Sequence, residues 1–399
     1  MDKLTLDAIE PKGRRVLVRV DFNVPLQEGA ITDDSRIKAS LPTITRLIDQ
    51  GAKVILMSHL GRPKGNTIPA LSLAPVAQRL AELLEMEIHF VEDCVGKSPL
   101  EASESLEAGQ VLLLENLRFH EEEEANNAGF SRQLAELGEI YVNNAFGSAH
   151  RAHASTVGVT EYFDQAATGL LMEAELTYLT SALSHAGKPY VAVLGGAKIS
   201  GKMDVIKNLL RITDAVLVGG GMAYTFQKAQ GHEIGDSLLE VDREEMALQV
   251  LADAKKQGVD LVLPVDSVIS IAADGSEPSR VSEGVDIPSG YMGVDIGPGS
   301  TELFRSRLSD AQTIVWNGPM GIFEVPEFTR GTEAVAREVA RATARGAMTI
   351  VGGGDSVAAI HRMGLTEEDF SHVSTGGGAF LEFLEGKELP GVAALTDRK

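Results

Sequence analysis

The chain has 399 residues, 44% hydrophobic and 23% charged, a globular composition that suits two domains better than one core. Its 57 acidic residues against 36 basic ones give a net charge of −21, which disfavours nucleic acid and anionic membranes as partners, and no basic stripe with interleaved aromatics offsets it. A single cysteine, Cys94, excludes an intrachain disulfide and a thiolate cage, and reads as a small buried hydrophobe. The opening MDKLTLDAIEPKG has no apolar signal segment and no run of about 18 apolar residues occurs, so a cytoplasmic protein is expected.

In chain order, RRVLVRVDF (14–22) predicts a strand, and 36–51 predicts a helix with Ile37, Leu41, Ile44 and Leu47 at helical period. A buried strand at 52–59, an amphipathic helix at 73–86 and strands at 87–93 and 109–119 follow. A helix is expected over 121–138 and a strand over 139–146. The helical segment 171–187 is read as an inter-domain helix. Alternation then restarts: strand 190–196, helix 198–212, strand 215–221, a helix from about 222, helix 242–258 and strand 260–270. Residues 271–300 read as polar and turn-rich. Strand 313–318, helix 327–345, strand 348–354, a short helix at 355–363, and a last strand and helix complete the pattern. Apolar strands separated by helices of this size indicate βαβ units, here two doubly wound parallel-sheet, Rossmann-like α/β domains. The expected division is a first domain at 1–170, the inter-domain helix and hinge at 171–188, and a second domain at 189–385, with the tail 386–399 packing back on the first.

Glycine is unusually frequent, 41 residues, and four strands end in glycine blocks: YVAVLGG (190–196), AVLVGGG (215–221), MTIVGGG (348–354) and HVSTGGG (372–378). Without a Cβ, backbone N–H groups are open to a ligand, so four such turns suggest one site for phosphates or a nucleotide. In GGGDS (352–356), the N–H groups of Gly353 and Gly354 and the next helical turn can hold phosphate oxygens, and Asp355 offers a hard oxygen for Mg²⁺ or, more plainly, a helix cap. GAKISGKM (196–203) departs from a P-loop because Met203 stands where Ser or Thr binds the metal, but it sets Lys198 and Lys202 behind a strand. No GxGxxG occurs, which excludes the dinucleotide fingerprint. Glu324, in WNGPMGIFE (316–324), offers an acceptor for a ribose hydroxyl.

The first half places its cations at strand ends, where open α/β sheets bind ligands. Asp21 and Asn23 close the first strand, Arg36 follows it, His59 and Arg62 follow the second, Arg118 follows LLLEN, and His150, Arg151 and His153 follow NNAFG. Converging arginines hold a phosphate or carboxylate with fixed geometry. The three histidines are too dispersed to make a zinc set.

Taken together, VDFNVP, DDSRI, SHLGRP, LLENLRFH, NNAFGSAHRAHAS, LMEAEL, VLGGAKISGKM, LVGGGM, WNGPMGIFE, VGGGDS and STGGGA span residues 18–379, and the chain resembles the phosphoglycerate kinases from end to end. That resemblance implies a hinge-bending enzyme moving the 1-phosphoryl group of 1,3-bisphosphoglycerate to Mg-ADP, reversibly and without a covalent intermediate. It assigns Asp21, Asn23, Arg36, His59, Arg62, Arg118 and Arg151 to the phosphoglycerate. Gly195, Lys202, Gly219, Gly293, Asn317, Glu324, Gly353, Gly354, Asp355 and Ser356 go to the nucleotide, with Asp355 on the metal. Arg36, Lys198, Gly353 and Gly376 go to the transfer itself. A monomer with small-molecule partners only is expected. The alternative is a non-catalytic nucleotide-binding regulator on the same fold, which would have no use for the arginine set. Three positions depart from the family pattern: Asn144 where Asp is common, Gly201 between the two lysines where Asp is frequent, and Phe380 where a small Ser is frequent.

Overall fold

Two six-stranded sheets, parallel throughout, organise the chain in the computed structural model, which describes residues 2–398. The first contains β1 (Arg15–Arg19), β2 (Lys53–Met57), β3 (Ile88–Val91), β4 (Val111–Leu114), β5 (Ile140–Asn143) and β6 (Ala166–Thr168), in spatial order β3-β4-β2-β1-β5-β6. The second contains β7 (Tyr190–Leu194), β8 (Ala215–Val218), β9 (Asp260–Val262), β10 (Thr313–Asn317), β11 (Met348–Gly352) and β12 (His372–Val373), in order β9-β8-β7-β10-β11-β12. Both sheets therefore reverse their winding beside their first strand: between β1 and β5, and between β7 and β10. Crevices at such switch points, at the carboxyl ends of the strands, are where this architecture takes ligands.

The strands are apolar nearly throughout because both faces are covered. In the first sheet Val16, Val18, Val54 and Leu56 face one core with Ile44, Leu47 and Leu80 of the overlying helices Ser35–Asp49 and Ala74–Leu84. Leu17, Ile55 and Met57 face the opposite core with Phe130 and Leu134. Full burial of each such side chain contributes about 1.5–3 kcal/mol. In the second sheet Val191, Val193, Leu217, Ile314 and Trp316 pack against Phe304, Leu308, Val335 and Val339.

The chain forms two compact units, one running to Thr177 and resuming at Glu388, the other Tyr178–Lys387. The division falls inside the helix Leu170–Ser184. The returning segment is hydrogen-bonded into the first unit: Leu4 N donates to Thr396 O at 2.8 Å, Thr396 N to Ala166 O at 3.0 Å, and Asn143 Nδ2 to Gly391 O at 3.2 Å. No helix among the described residues is long and apolar enough to cross a membrane.

Several elements differ from the sequence reading. The helix expected over 121–138 is two pieces, Glu121–Glu124 and Ala128–Ala135, parted by Asn126 at φ +50°. The segment 109–119 pairs only as Val111–Leu114 and then turns into a 3-10 helix at Leu117–Phe119. The segment 260–270 divides between β9 and Ser267–Ser270, which joins Met292–Ile296 and Arg280–Val281 in a small antiparallel sheet. Two helices, Lys97–Ser105 and Pro298–Leu308, went unread, and 271–300 is less irregular than its composition suggests. The helix expected from 198 begins only at Met203, so Lys198 lies in the preceding turn and Lys202 is the cap residue.

Two of the three departures have a visible setting. Asn144, fully buried, accepts through Oδ1 from Thr43 Oγ1 at 2.9 Å and Leu171 N at 3.1 Å, while its Nδ2 has no partner, so a carboxylate there would remove an orphaned donor. Phe380 lays its ring over Gly352, where a Cβ would come within 2.5 Å of it. Gly201 is exposed with open space around it, and nothing in the structure explains the choice of residue.

Candidate active site

At the carboxyl end of the first sheet, the loops after β1, β2, β4 and β5 bring cations around one carboxylate. Asp21 follows β1 directly, and Arg36, from the first turn of Ser35–Asp49, donates from Nη1 to its Oδ2 at 3.0 Å. Burial raises the Asp21 carboxyl, but the neighbouring positive charges, including Arg36 and Arg19, and the Asn23 N–H outweigh it and hold the group below its usual value. Asn23 Oδ1 accepts from Gly61 N at 2.8 Å, and Arg118 Nη1 donates to Gly61 O at 2.8 Å, so the turn after β2 is held from both sides.

His59, buried, places Nδ1 at 3.0 Å from Arg19 Nη2. A guanidinium offers no acceptor, so Nδ1 accepts and the ring proton sits on Nε2. Burial holds His59 well below the ordinary imidazole range; Asp21 opposes this, while Arg19, Arg118 and Arg36 add to it. His59 is therefore a neutral donor with a fixed tautomer.

Arg19 is the hub. Almost fully buried, it donates to Ser155 Oγ at 2.9 Å and to Val20 O. Ser155 in turn donates to the buried Glu123, from N at 2.9 Å and Oγ at 2.5 Å. Burial pushes the Glu123 carboxyl up, and the Arg19 charge opposes it. Arg151 is half-buried, with Nε at 3.1 Å from His150 Nε2, and burial together with the charges of Arg19, Arg118 and Arg151 pushes nearby His153 down to about 4. Arg62 is exposed, with no ion-pair partner among the described residues. Asp21, Asn23, Arg36, His59 and Arg118 thus form one connected set, with Arg151 electrostatically coupled to Arg118 and Arg62 beside the turn. Like charges so concentrated repel, and an anion would relieve that repulsion.

At the carboxyl end of the second sheet the glycine turns meet. Gly195 N donates to Asn317 O at 2.9 Å, Gly196 N to Pro319 O at 3.0 Å, Gly220 N to Met320 O at 3.0 Å and Met222 N to Gly196 O at 3.0 Å. The fit requires glycine: a Cβ on Gly219 would lie 2.5 Å from Met320 Sδ, and one on Gly195 would lie 2.0 Å from Pro319 O. Asn317 Nδ2 donates to Gly352 O at 2.8 Å, and Ser356 Oγ accepts from Gly318 N at 2.7 Å. Gly353, at φ +95°, caps the helix Gly354–Arg362, whose first-turn N–H groups carry the positive end of its dipole. Gly376 caps Gly377–Leu384, and a Cβ on Gly377 would sit 3.5 Å from Gly353 Cα, so the two turns abut.

Lys202 Nζ is turned inward, donating to Gly195 O and, at 2.9 Å, to Asn317 O. Burial pushes it down to about 8, partly offset by Asp355. Lys198 is exposed and has no ion-pair partner among the described residues. Asp355, in the first helical turn, is also exposed and accepts no hydrogen bond from the described residues; the cap residue is Gly353. Gly293 lies in Met292–Ile296, where a Cβ would strike Tyr224 Oη at 1.9 Å, and Glu324 is exposed. Leu238, 60% exposed, lies beside Gly221 and puts an apolar surface near these turns.

A family model described as phosphoglycerate kinase matches residues 6–387. The chain belongs to the phosphoglycerate kinase family. It is 55% identical to the phosphoglycerate kinase of Chlorobium chlorochromatii and 56% identical to that of Chlorobaculum tepidum, each over the full length of both chains. The solved phosphoglycerate kinase of Coxiella burnetii is similar at a TM-score of 0.89 and 42% identity, covering 98% of each chain. That of Pyrococcus horikoshii is similar at 0.85 and 34%, also covering 98% of each. As a phosphoglycerate kinase the chain is an enzyme, transferring a phosphoryl group between 1,3-bisphosphoglycerate and ADP.

Sequence reasoning missed Arg19, Ser155 and Glu123. The one available signal was an arginine inside an otherwise apolar strand, which burial forces to find partners.

Proposed function

We propose that the two sheet ends divide the reaction between them. The first unit takes the phosphoglycerate: Arg62, Arg118, Arg151 and neutral His59 on the non-reacting phosphate, Asp21 and Asn23 on the hydroxyl and carboxyl end. The second takes ADP, its phosphates on the N–H groups of Gly353, Gly354 and Ser356 and on Lys202, its base against the glycine turns and Leu238, and its ribose hydroxyl on Glu324. The observation that carries this reading is the pairing of a cation-lined switch point in one sheet with a glycine-lined switch point in the other.

The residues then act by position and charge, as in-line phosphoryl transfer requires, and no nucleophilic side chain takes part. Arg36 spends one N–H on Asp21, leaving others for the moving group. Lys198 meets the same group from the nucleotide side, and the helix behind Gly353 adds its N-terminal dipole. Asp355 fits Mg²⁺, since its carboxylate is a hard oxygen donor, exposed and free of hydrogen bonds from the described residues. When bound, Mg²⁺ would shield phosphate charge. Closure of the two units would keep water from the acyl phosphate. The enzyme works as a cytoplasmic monomer in this reading.

The purified protein is expected to form ATP from ADP and 1,3-bisphosphoglycerate in a coupled assay, with turnover lost on chelation of Mg²⁺. ADP binding without turnover would instead support the regulatory reading.

A further inference from the structure

Beyond the last residues of β3 lies a group that the transfer does not use. Asp93 and Cys94 follow that strand, and His120 follows the 3-10 turn Leu117–Phe119. One ligand atom from each lies within 4.8 Å of the other two. His120 Nε2 and Asp93 Oδ1 are already 2.8 Å apart, and Cys94 N donates to the same Oδ1 at 2.7 Å, which fixes the carboxylate. The imidazole and carboxylate are partly open, with side-chain exposures of 29% and 49%, while Cys94 is 1% exposed and borders the apolar core. Solvent thus reaches two donors and protein encloses the third.

We propose that Asp93, Cys94 and His120 form a binding site for a borderline-soft divalent cation of the zinc type, with water in the fourth position. The donor set is one sulfur, one nitrogen and one oxygen, a mixture that suits such a cation and not Mg²⁺ or Ca²⁺, which prefer oxygen alone. Tetrahedral coordination at about 2.0–2.3 Å spaces ligand atoms about 3.3–3.8 Å apart, so His120 and Asp93, now 2.8 Å apart, must part to admit the ion, and small side-chain rotations accompany binding. On binding, the Sγ–H bond breaks and its proton goes to water as the metal–sulfur bond forms. The ring ligates through a nitrogen lone pair. No redox change is involved.

The test uses the full-length protein, reduced and metal-stripped, titrated with Co²⁺ as a spectroscopic probe. Because Cys94 is the only cysteine in the chain, a thiolate-to-cobalt charge-transfer band can come from nowhere else. The expected result is that band at one cobalt per chain, with release of about one proton per metal, bleached by Zn²⁺ and lost in Cys94→Ser. His120→Gln, at a partly exposed side chain whose ring also leans on Phe130, provides a second variant that keeps Cys94, with folding checked by thermal melt; it should lose tetrahedral cobalt absorption. Absence of the charge-transfer band in the parent protein, or its persistence in Cys94→Ser, would overturn the proposal.

Discussion

The carboxyl end of the first sheet is lined by side chains that already hold one another, whereas the same end of the second is lined chiefly by backbone. In the first, Arg36 is spent partly on Asp21, His59 is fixed by Arg19, and Arg19 is anchored through Ser155 to Glu123. In the second, neighbouring turns bond through main-chain groups, and Lys198 and Asp355 stand exposed. A side-chain site is tuned by buried partners and so is coupled to stability. A backbone site is tuned by the absence of Cβ atoms, and its chemistry can be altered at exposed positions without cost to the fold.

The largest expected effect tests that decoupling. Lys198→Ala should lower kcat about 10²–10³-fold with little change in KM, as for a donor that acts mainly in the transition state, and leave the unfolding midpoint unchanged. Steady-state kinetics with thermal melts checks both; an equal rise in KM would make Lys198 a ground-state contact. On the other side, Arg19→Met should cost about 3–5 kcal/mol of stability, measured by urea unfolding, because it leaves His59, Ser155 and Glu123 without their buried partner. Arg19→Lys should rescue little, since an ammonium lacks the planar fork.

A pair of glycine variants sharpens the backbone argument. Gly353→Ala combines φ +95° with a Cβ 2.6 Å from Asn317 Nδ2, and should cost about 1–3 kcal/mol along with nucleotide affinity. Gly354→Ala, with nothing within 4 Å of its Cβ, should stay within about 0.5 kcal/mol of the parent in the same melts.

The smallest expected signal concerns Lys202, held down at about 8 by burial. ADP phosphates should raise it, so binding near that pH takes up a fraction of a proton, read by calorimetry in buffers of different ionisation enthalpy and absent in Lys202→Met. The stability effect has the opposite sense to that of a paired lysine. With the folded value below the ordinary lysine value of 10.5, the unfolded chain binds more protons between about 8 and 10.5, and stability through this group rises with pH across that window.

The glycine-ended strands and the arginines at strand ends were legible because both are local: a strand, then a turn with the chemistry in it. The doubly wound architecture followed from the same alternation. Arg19 stands out only as an arginine in an otherwise apolar strand; that both faces of β1 are buried, so that it must find partners inside the fold, was not legible. Its partner Ser155 lies 136 residues away in sequence. Pro298–Leu308 escaped notice because PGSTELFRSRL has only a weak apolar stripe, and the break at Asn126 depends on a single left-handed residue.

The hydrogen bonds that tie Thr396 to Leu4 and Ala166 have a consequence for synthesis. The first unit is discontinuous in sequence, with all of Tyr178–Lys387 inserted before its last segment. The first unit therefore cannot make these bonds until all of the second has been synthesised. A chain cut after Lys387 should therefore keep a protease-resistant second unit beside a more readily cleaved first, checked by limited proteolysis of the cut and full chains.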